Sequence, residues 1–190
     1  MLLVVGAIVA GSGPEEKREA PHELALPTKL VDKYQLHSSS DAAPRGDGAW
    51  DPVDVKDWTG VAGKYAVAID RPNVNGVVIA GMYGDIAHPE RVRESLLRGT
   101  ADRDDTKLAV RPEEFVIDAD GPEWSCQVVV RGKGLSKTTL PVCAWADEST
   151  AGSVLFLSPR YMTEPPARVD LDHAARDAHA IRDELRKPVE

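Results

Sequence analysis

Cys126 and Cys143 are the only thiols in the chain, and they are the first residues to weigh for chemistry. Neither belongs to a C-x-x-C pair, so the spacing indicates no thioredoxin-type redox centre and no zinc site. Their surroundings point to structure instead. WSCQVVV (residues 124–130) is rich in β-branched and aromatic types and reads as a strand. RGKGLSK (131–137) reads as a glycine-interrupted turn, and residues 138–146 as the returning strand. A turn centred on Gly134 and Leu135 pairs Arg131 with Thr138, and the same register sets Cys126 opposite Cys143. Opposed Cα atoms lie roughly 4.5 or 5.5 Å apart according to the hydrogen-bond pattern. Both separations fall within disulfide reach, about 4.4–6.8 Å. The expectation is a structural disulfide; two buried free thiols and a catalytic thiol are the alternatives. Parity places Val128, Val130, Pro141 and Trp145 on the cysteine face, which is expected to be the packed side of the sheet.

The remaining chemistry-bearing residues are more dispersed. Arg131, Lys133 and Lys137 cluster on the glycine-containing turn, where cations and backbone N–H groups can contact an anion; the alternative is a solvated hairpin tip. Asp118, Asp120 and Gly121 form a fragment of a calcium loop without its full spacing or distal Glu, and read as a turn. Asp102, Asp104 and Asp105 read as a solvated loop. Of the histidines, His22 and His37 precede the ordered region, His88 stands alone, and His173 and His179 are six apart and share no helical face. G-x-S-x-G, H-E-x-x-H and Walker patterns are absent from the sequence. No metal, cofactor or local catalytic constellation is therefore predicted, while a triad assembled from distant positions stays open.

Elements that position these residues follow from pattern. The 190 residues accommodate one domain plus extensions, and a net charge of −8 argues against binding nucleic acid through a basic surface. Residues 1–11 open with the apolar run MLLVVGAIVA, expected to be part of a transmembrane or signal-anchor segment; a short apolar terminus that packs is the alternative. Residues 12–59 read as a flexible linker, in which LALPTKLVDKYQL could supply a short strand or strap. A domain is expected over residues 60–190. Strands at 64–69 and 77–83 flank the turn RPNVNG. A helix over 89–98 starts at Pro89 and is expected to stop at Gly99. Short strands at 106–110 and 114–117 are separated by Arg111-Pro112, and the cysteine hairpin is followed by a third strand at 153–158. Leu171, Ala174, Ala175, Ala178, Ile181, Arg182 and Leu185 recur at helical spacing over 170–186, a stripe that is apolar except for the arginine. Asp170 is the expected N-cap and Pro188 the stop. The fold class is α+β: an antiparallel sheet of five to seven strands built from hairpin meanders, with two helices over one or both faces.

Four segments together carry a resemblance: LPTKLVDKYQL (26–36), GMYGDIAHPE (81–90), PVCAWADESTAGSV (141–154) and IRDELRKPV (181–189). The chain resembles a family of uncharacterised membrane-anchored proteins of Streptomyces and related actinobacteria, with the Cys-Ala-Trp-Ala-Asp segment the most specific part. The resemblance implies a single N-terminal span, a linker and a small extracytoplasmic domain. It implies no activity and transfers no functional residue. A PsbP-like sandwich, as in other actinobacterial lipoproteins, is a structural analogy. The expected function is a tethered binding or interaction module without catalysis, held at the cell membrane and meeting an envelope protein or small ligand. A cell-envelope hydrolase with a site assembled from distant residues, and a cytosolic protein with a misread N-terminus, are the alternatives.

Overall fold

The computed structural model describes residues 21–40, 54–67, 75–119, 121–134 and 137–189. The apolar segment expected at residues 1–11 and the linker residues 12–20 and 41–53 lie outside the described residues, as do most of the RPNVNG turn, Asp120 and the centre of the cysteine hairpin turn.

Eight antiparallel strands form the main sheet in the order β2-β3-β4-β5-β9-β8-β7-β6. They are β2 (Lys29–Leu30), β3 (Tyr34–Ser40), β4 (Val55–Ala66), β5 (Gly76–Ile86), β6 (Thr106–Phe115), β7 (Trp124–Arg131), β8 (Thr138–Ala146) and β9 (Thr150–Leu157). A separate two-stranded ribbon joins β1 (His22–Leu24) to β10 (Arg186–Pro188). Among the described residues there are also three α-helices, α1 (Pro89–Ala101), α2 (Pro159–Met162) and α3 (Leu171–Leu185), and a 3-10 turn at Pro166–Arg168. The class is α+β as expected, with one strand more than the predicted range in the main sheet.

The topology is two meanders that meet at their last strands. β2 to β5 run from one edge to the centre; α1 then carries the chain over one face to the far edge, and β6 to β9 return until β9 pairs with β5. Both long helices therefore cover the second meander, one on each face. This makes β7, β8 and β9 almost wholly buried on both sides. Val129, Leu140, Val142 and Ala144 meet Val92, Leu96 and Leu97 of α1. Trp124, Cys126, Cys143, Trp145 and Val154 meet the alanine-rich stripe of α3. Two polar side chains that enter the α1 face are bonded: Gln127 Nε2 donates to the Leu97 carbonyl at 2.8 Å, and Arg93, buried on α1, pairs with Glu123 at 2.9 Å.

Several expectations need correction. Residues 24–36, expected to supply a short strand or strap, contribute to β1, β2 and β3, whereas residues 37–40 and 55–59, read as flexible linker, extend β3 and start β4. This N-terminal strap joins the core on the α3 face through Leu24 and Leu30, and bonds the C-terminal end of α3 through the Ala25 amide and Leu185 O. Gly99 does not stop α1, which runs on to Ala101 because the helix ends on Asp102, whose amide bonds Arg98 O. The two short strands around Arg111-Pro112 are one bulged edge strand, β6. Its irregularities, Pro112 and charges blunt an edge that would otherwise template pairing.

Trp145 and Gly152 lie opposite one another on β8 and β9, and the indole rests on the glycine. A Cβ at Gly152 would fall inside van der Waals contact with the ring, at 2.7 Å from Cζ2. By contrast, a Cβ at Gly99 meets nothing within 4 Å. Gly152→Ala is therefore expected to destabilise the domain by about 3 kcal/mol, at the upper end of overpacking costs. Gly99→Ala, in a helix interior, is expected to stabilise it by about 0.5–1 kcal/mol. Chemical denaturation of both variants checks the contrast; equal effects would contradict the packing described.

Candidate functional site

The densest polar cluster among the described residues sits where α3 crosses the ends of β7, β8 and β9. Asp170 caps α3, its Oδ1 accepting from the His173 amide at 3.0 Å. From there the helix lays Leu171, Ala174, Ala175, Ala178, Ile181 and Leu185 on the sheet. The small alanines bring the helix close to the sheet, so its flanking residues reach the floor. Arg182, the polar member of the stripe, is 4% exposed and must find a counter-charge.

Asp147 supplies it. This residue ends β8 and starts the turn into β9. Its Oδ2 accepts from Arg182 Nη2 at 2.8 Å and from the Thr150 hydroxyl at 2.7 Å. Its Oδ1 accepts from the amides of Ser149 and Thr150, at 2.9 and 2.7 Å, and from the Ser149 hydroxyl at 3.1 Å. Arg186 approaches Oδ2 at 3.5 Å and contacts His22 Nδ1 at 3.0 Å. The His22 amide donates to Ser149 Oγ at 3.3 Å, bringing the N-terminal strap into the same network. Burial pushes the Asp147 carboxyl up, but the bonds from Arg182, Ser149 and Thr150 and the charge of Arg186 outweigh it. The group is held below the usual carboxylate range.

A second histidine lies on the same helix. His179 is edge-on to Trp124, with ring centroids 6.0 Å apart, and Trp124 in turn packs on Trp145 at 5.4 Å. His179 Nε2 lies 3.0 Å from Asp118 Oδ2 and 3.4 Å from Asp183 Oδ2. The two carboxylates flank the imidazole and orient it. Its Nδ1 is buried without a hydrogen-bond partner among the described residues, as is Trp124 Nε1. No histidine ring hydrogen-bonds a Ser, Thr or Cys side chain among the described residues, and no group of three His, Cys, Asp or Glu is arranged to hold a metal. Chemically, the cluster is a saturated carboxylate with two guanidinium partners, flanked by an imidazole between acids.

Cys126 and Cys143 occupy the register expected from the hairpin and are joined by a disulfide, their Cα atoms 4.0 Å apart. Both are fully buried beside Trp145 on the α3 face. Arg131 ends β7 at the hairpin tip, where burial and the nearby charge of Arg103 lower its pKa. Lys133 pairs with Asp105 at 2.6 Å, and the Gly132 amide donates to Asp105 O at 2.8 Å. Lys137 is exposed on the other arm of the turn. Asp118 and Gly121 form the expected turn, the Gly121 amide donating to Asp118 O at 3.2 Å. Asp102 caps α1 and Asp104 accepts from the Thr106 hydroxyl through its carbonyl at 3.5 Å.

Sequence reasoning did not single out Asp147, His22 or Arg186. Arg182 was the available signal: a charge in an apolar stripe demands a buried acid, and Asp147 directly follows a buried strand. No protein-family model matches the chain, and neither curated proteins nor solved structures give a match. Among the described residues, no helix is long and apolar enough to cross a membrane.

The lowered Asp147 pKa ties stability to pH. A carboxyl depressed in the folded state stabilises the fold fully above its unfolded value, about 3.9, and that contribution is lost as pH falls through the folded value. Asp147→Asn is expected to cost about 3 kcal/mol or more at pH 7, since it leaves Arg182 buried without its charge partner. The gap between wild type and variant should narrow below about pH 4. Urea titrations from pH 7 to pH 2 check this; a gap that is constant with pH would contradict it.

Proposed function

We propose that the chain is a membrane-tethered extracytoplasmic domain that works as a binding or interaction module, without catalysis. The observation that carries the reading is the Cys126–Cys143 disulfide in the packed centre of the domain. Disulfides persist in oxidising compartments, and a small secreted domain gains stability from one. A bridge buried under a helix is inaccessible to exchange partners, which suits a structural cross-link better than a redox device. The apolar run at residues 1–10 supports a tether at the N-terminal side of the domain. The resemblance to membrane-anchored proteins of Streptomyces and related actinobacteria supports the same arrangement. A sheet with helices on both faces is compatible with a PsbP-like sandwich, and we offer that as the nearest architecture by analogy.

Asp147 is not placed to serve as a general base. Both oxygens of its carboxylate are occupied by donors from the chain itself, so the buried charges serve the fold. A general base must instead present a free lone pair to a substrate or nucleophile.

Thiols counted on unfolded protein recovered from its native host, with and without reductant, test the reading. No free thiol before reduction and two after is the expected result. Two free thiols before reduction would overturn the extracytoplasmic assignment and favour a cytosolic protein.

A further inference from the structure

The connection between β2 and β3 is three residues, Val31 to Lys33, and the first two lie in the left-handed region, Val31 at φ 43° and Asp32 at φ 53°. The Lys33 amide closes it on Leu30 O at 3.0 Å. Such positions favour Asn and Gly, because positive φ crowds any side chain branched at Cβ. Valine is therefore held against its preference. Part of what holds it is the Val31 amide, which donates to Glu184 Oε2 on α3 at 2.8 Å.

Residues 21–30, N-terminal to this hinge, form a strap seated in a shaped groove. Leu24 fits a notch at Gly81, where a Cβ would come within 2.8 Å of its methyl group. Leu26 fits a second notch at Gly63, with methyls 3.2 and 3.3 Å from the corresponding Cβ position. Pro27 O accepts from the Tyr65 hydroxyl at 2.8 Å, the Ala25 amide donates to Leu185 O at 2.9 Å, and β1 pairs with β10. All of these receptor groups lie C-terminal to the hinge.

We propose that the strap exchanges between two copies of this chain, giving a domain-swapped dimer in which residues 21–30 of each copy fill the Gly63 and Gly81 notches of the other. The contacts of the strap with the body are reproduced across the pair, whereas the exposed Lys29–Asp32 ion pair, which reaches into the hinge, is not. What changes is the hinge: Val31 and Asp32 straighten into extended backbone, and the left-handed conformation is relieved. Short strained hinges drive swapping for this reason. The opposing costs are association and the Val31–Glu184 hydrogen bond.

The test uses the full 190-residue chain, refolded in mild detergent with its disulfide intact over a range of protein concentrations. Size fractionation with light scattering should show a dimer fraction that grows with refolding concentration. Val31→Gly, which accepts positive φ, should lower that fraction by about five-fold or more. To locate the contact, a Leu26→Cys chain and a Gly63→Cys chain are refolded together and oxidised. A covalent heterodimer between the two is expected, because only a swapped strap brings these positions together across copies. A monomer at every concentration, a dimer with no mixed disulfide, or a dimer fraction unmoved by Val31→Gly would overturn the proposal.

Discussion

The buried pair between Asp147 and Arg182 is the constraint on which the arrangement depends. A guanidinium at 4% exposure cannot stay in an apolar interface without a counter-charge, and moving α3 by one residue would carry it away from the acid. The pair therefore sets the axial position and rotation of α3 on the sheet. Asp147 spends its other lone pairs on the β8–β9 turn, so the turn and the helix are fixed by one side chain. Thr150 extends the network inward, accepting from Trp145 Nε1 at 3.4 Å. The Trp145 ring lies over Gly152 and beside the disulfide, which links the polar clasp to the densest part of the core. Through Ser149 and Arg186 the same network also reaches His22 and the strap.

Much of the second meander was legible in the sequence because its signals are local. Strand parity and a glycine turn fix a hairpin register, and the pairing of Cys126 with Cys143 follows from them. Helix α3 was legible from its cap and its stripe. The strap was harder to read. Leu24, Leu26 and Leu30 are too few to make a periodic pattern, and their burial depends on notches at Gly63 and Gly81 far along the chain. The end of α1 shows a different limit: glycine weakens a helix interior without necessarily ending it, and packing of Leu96 and Leu97 carries the helix past Gly99. In β6, Pro112 looks like a break, yet on an edge strand its missing N–H costs no ladder bond, and the chain absorbs it as a bulge.

The candidate site was legible only in part. The cysteines carried a spacing, whereas the Asp147 network joins residues from three separated stretches of chain and has no motif. Its one visible trace was Arg182, a charge where periodicity demanded an apolar residue. The basic hairpin tip, prominent in sequence, is the more exposed of the two clusters, and Lys133 there is paired with Asp105. A charge that interrupts an apolar stripe was thus the better guide to organisation than a concentration of charge at the surface.

The most direct measurement of this account is a double-mutant cycle on Asp147→Ala and Arg182→Ala, read by equilibrium denaturation at pH 7. The account predicts strong coupling, about 1.5 kcal/mol or more, because each residue is costly to bury without the other. Additivity within about 0.5 kcal/mol would contradict it, and would mean that α3 is positioned by its apolar stripe alone.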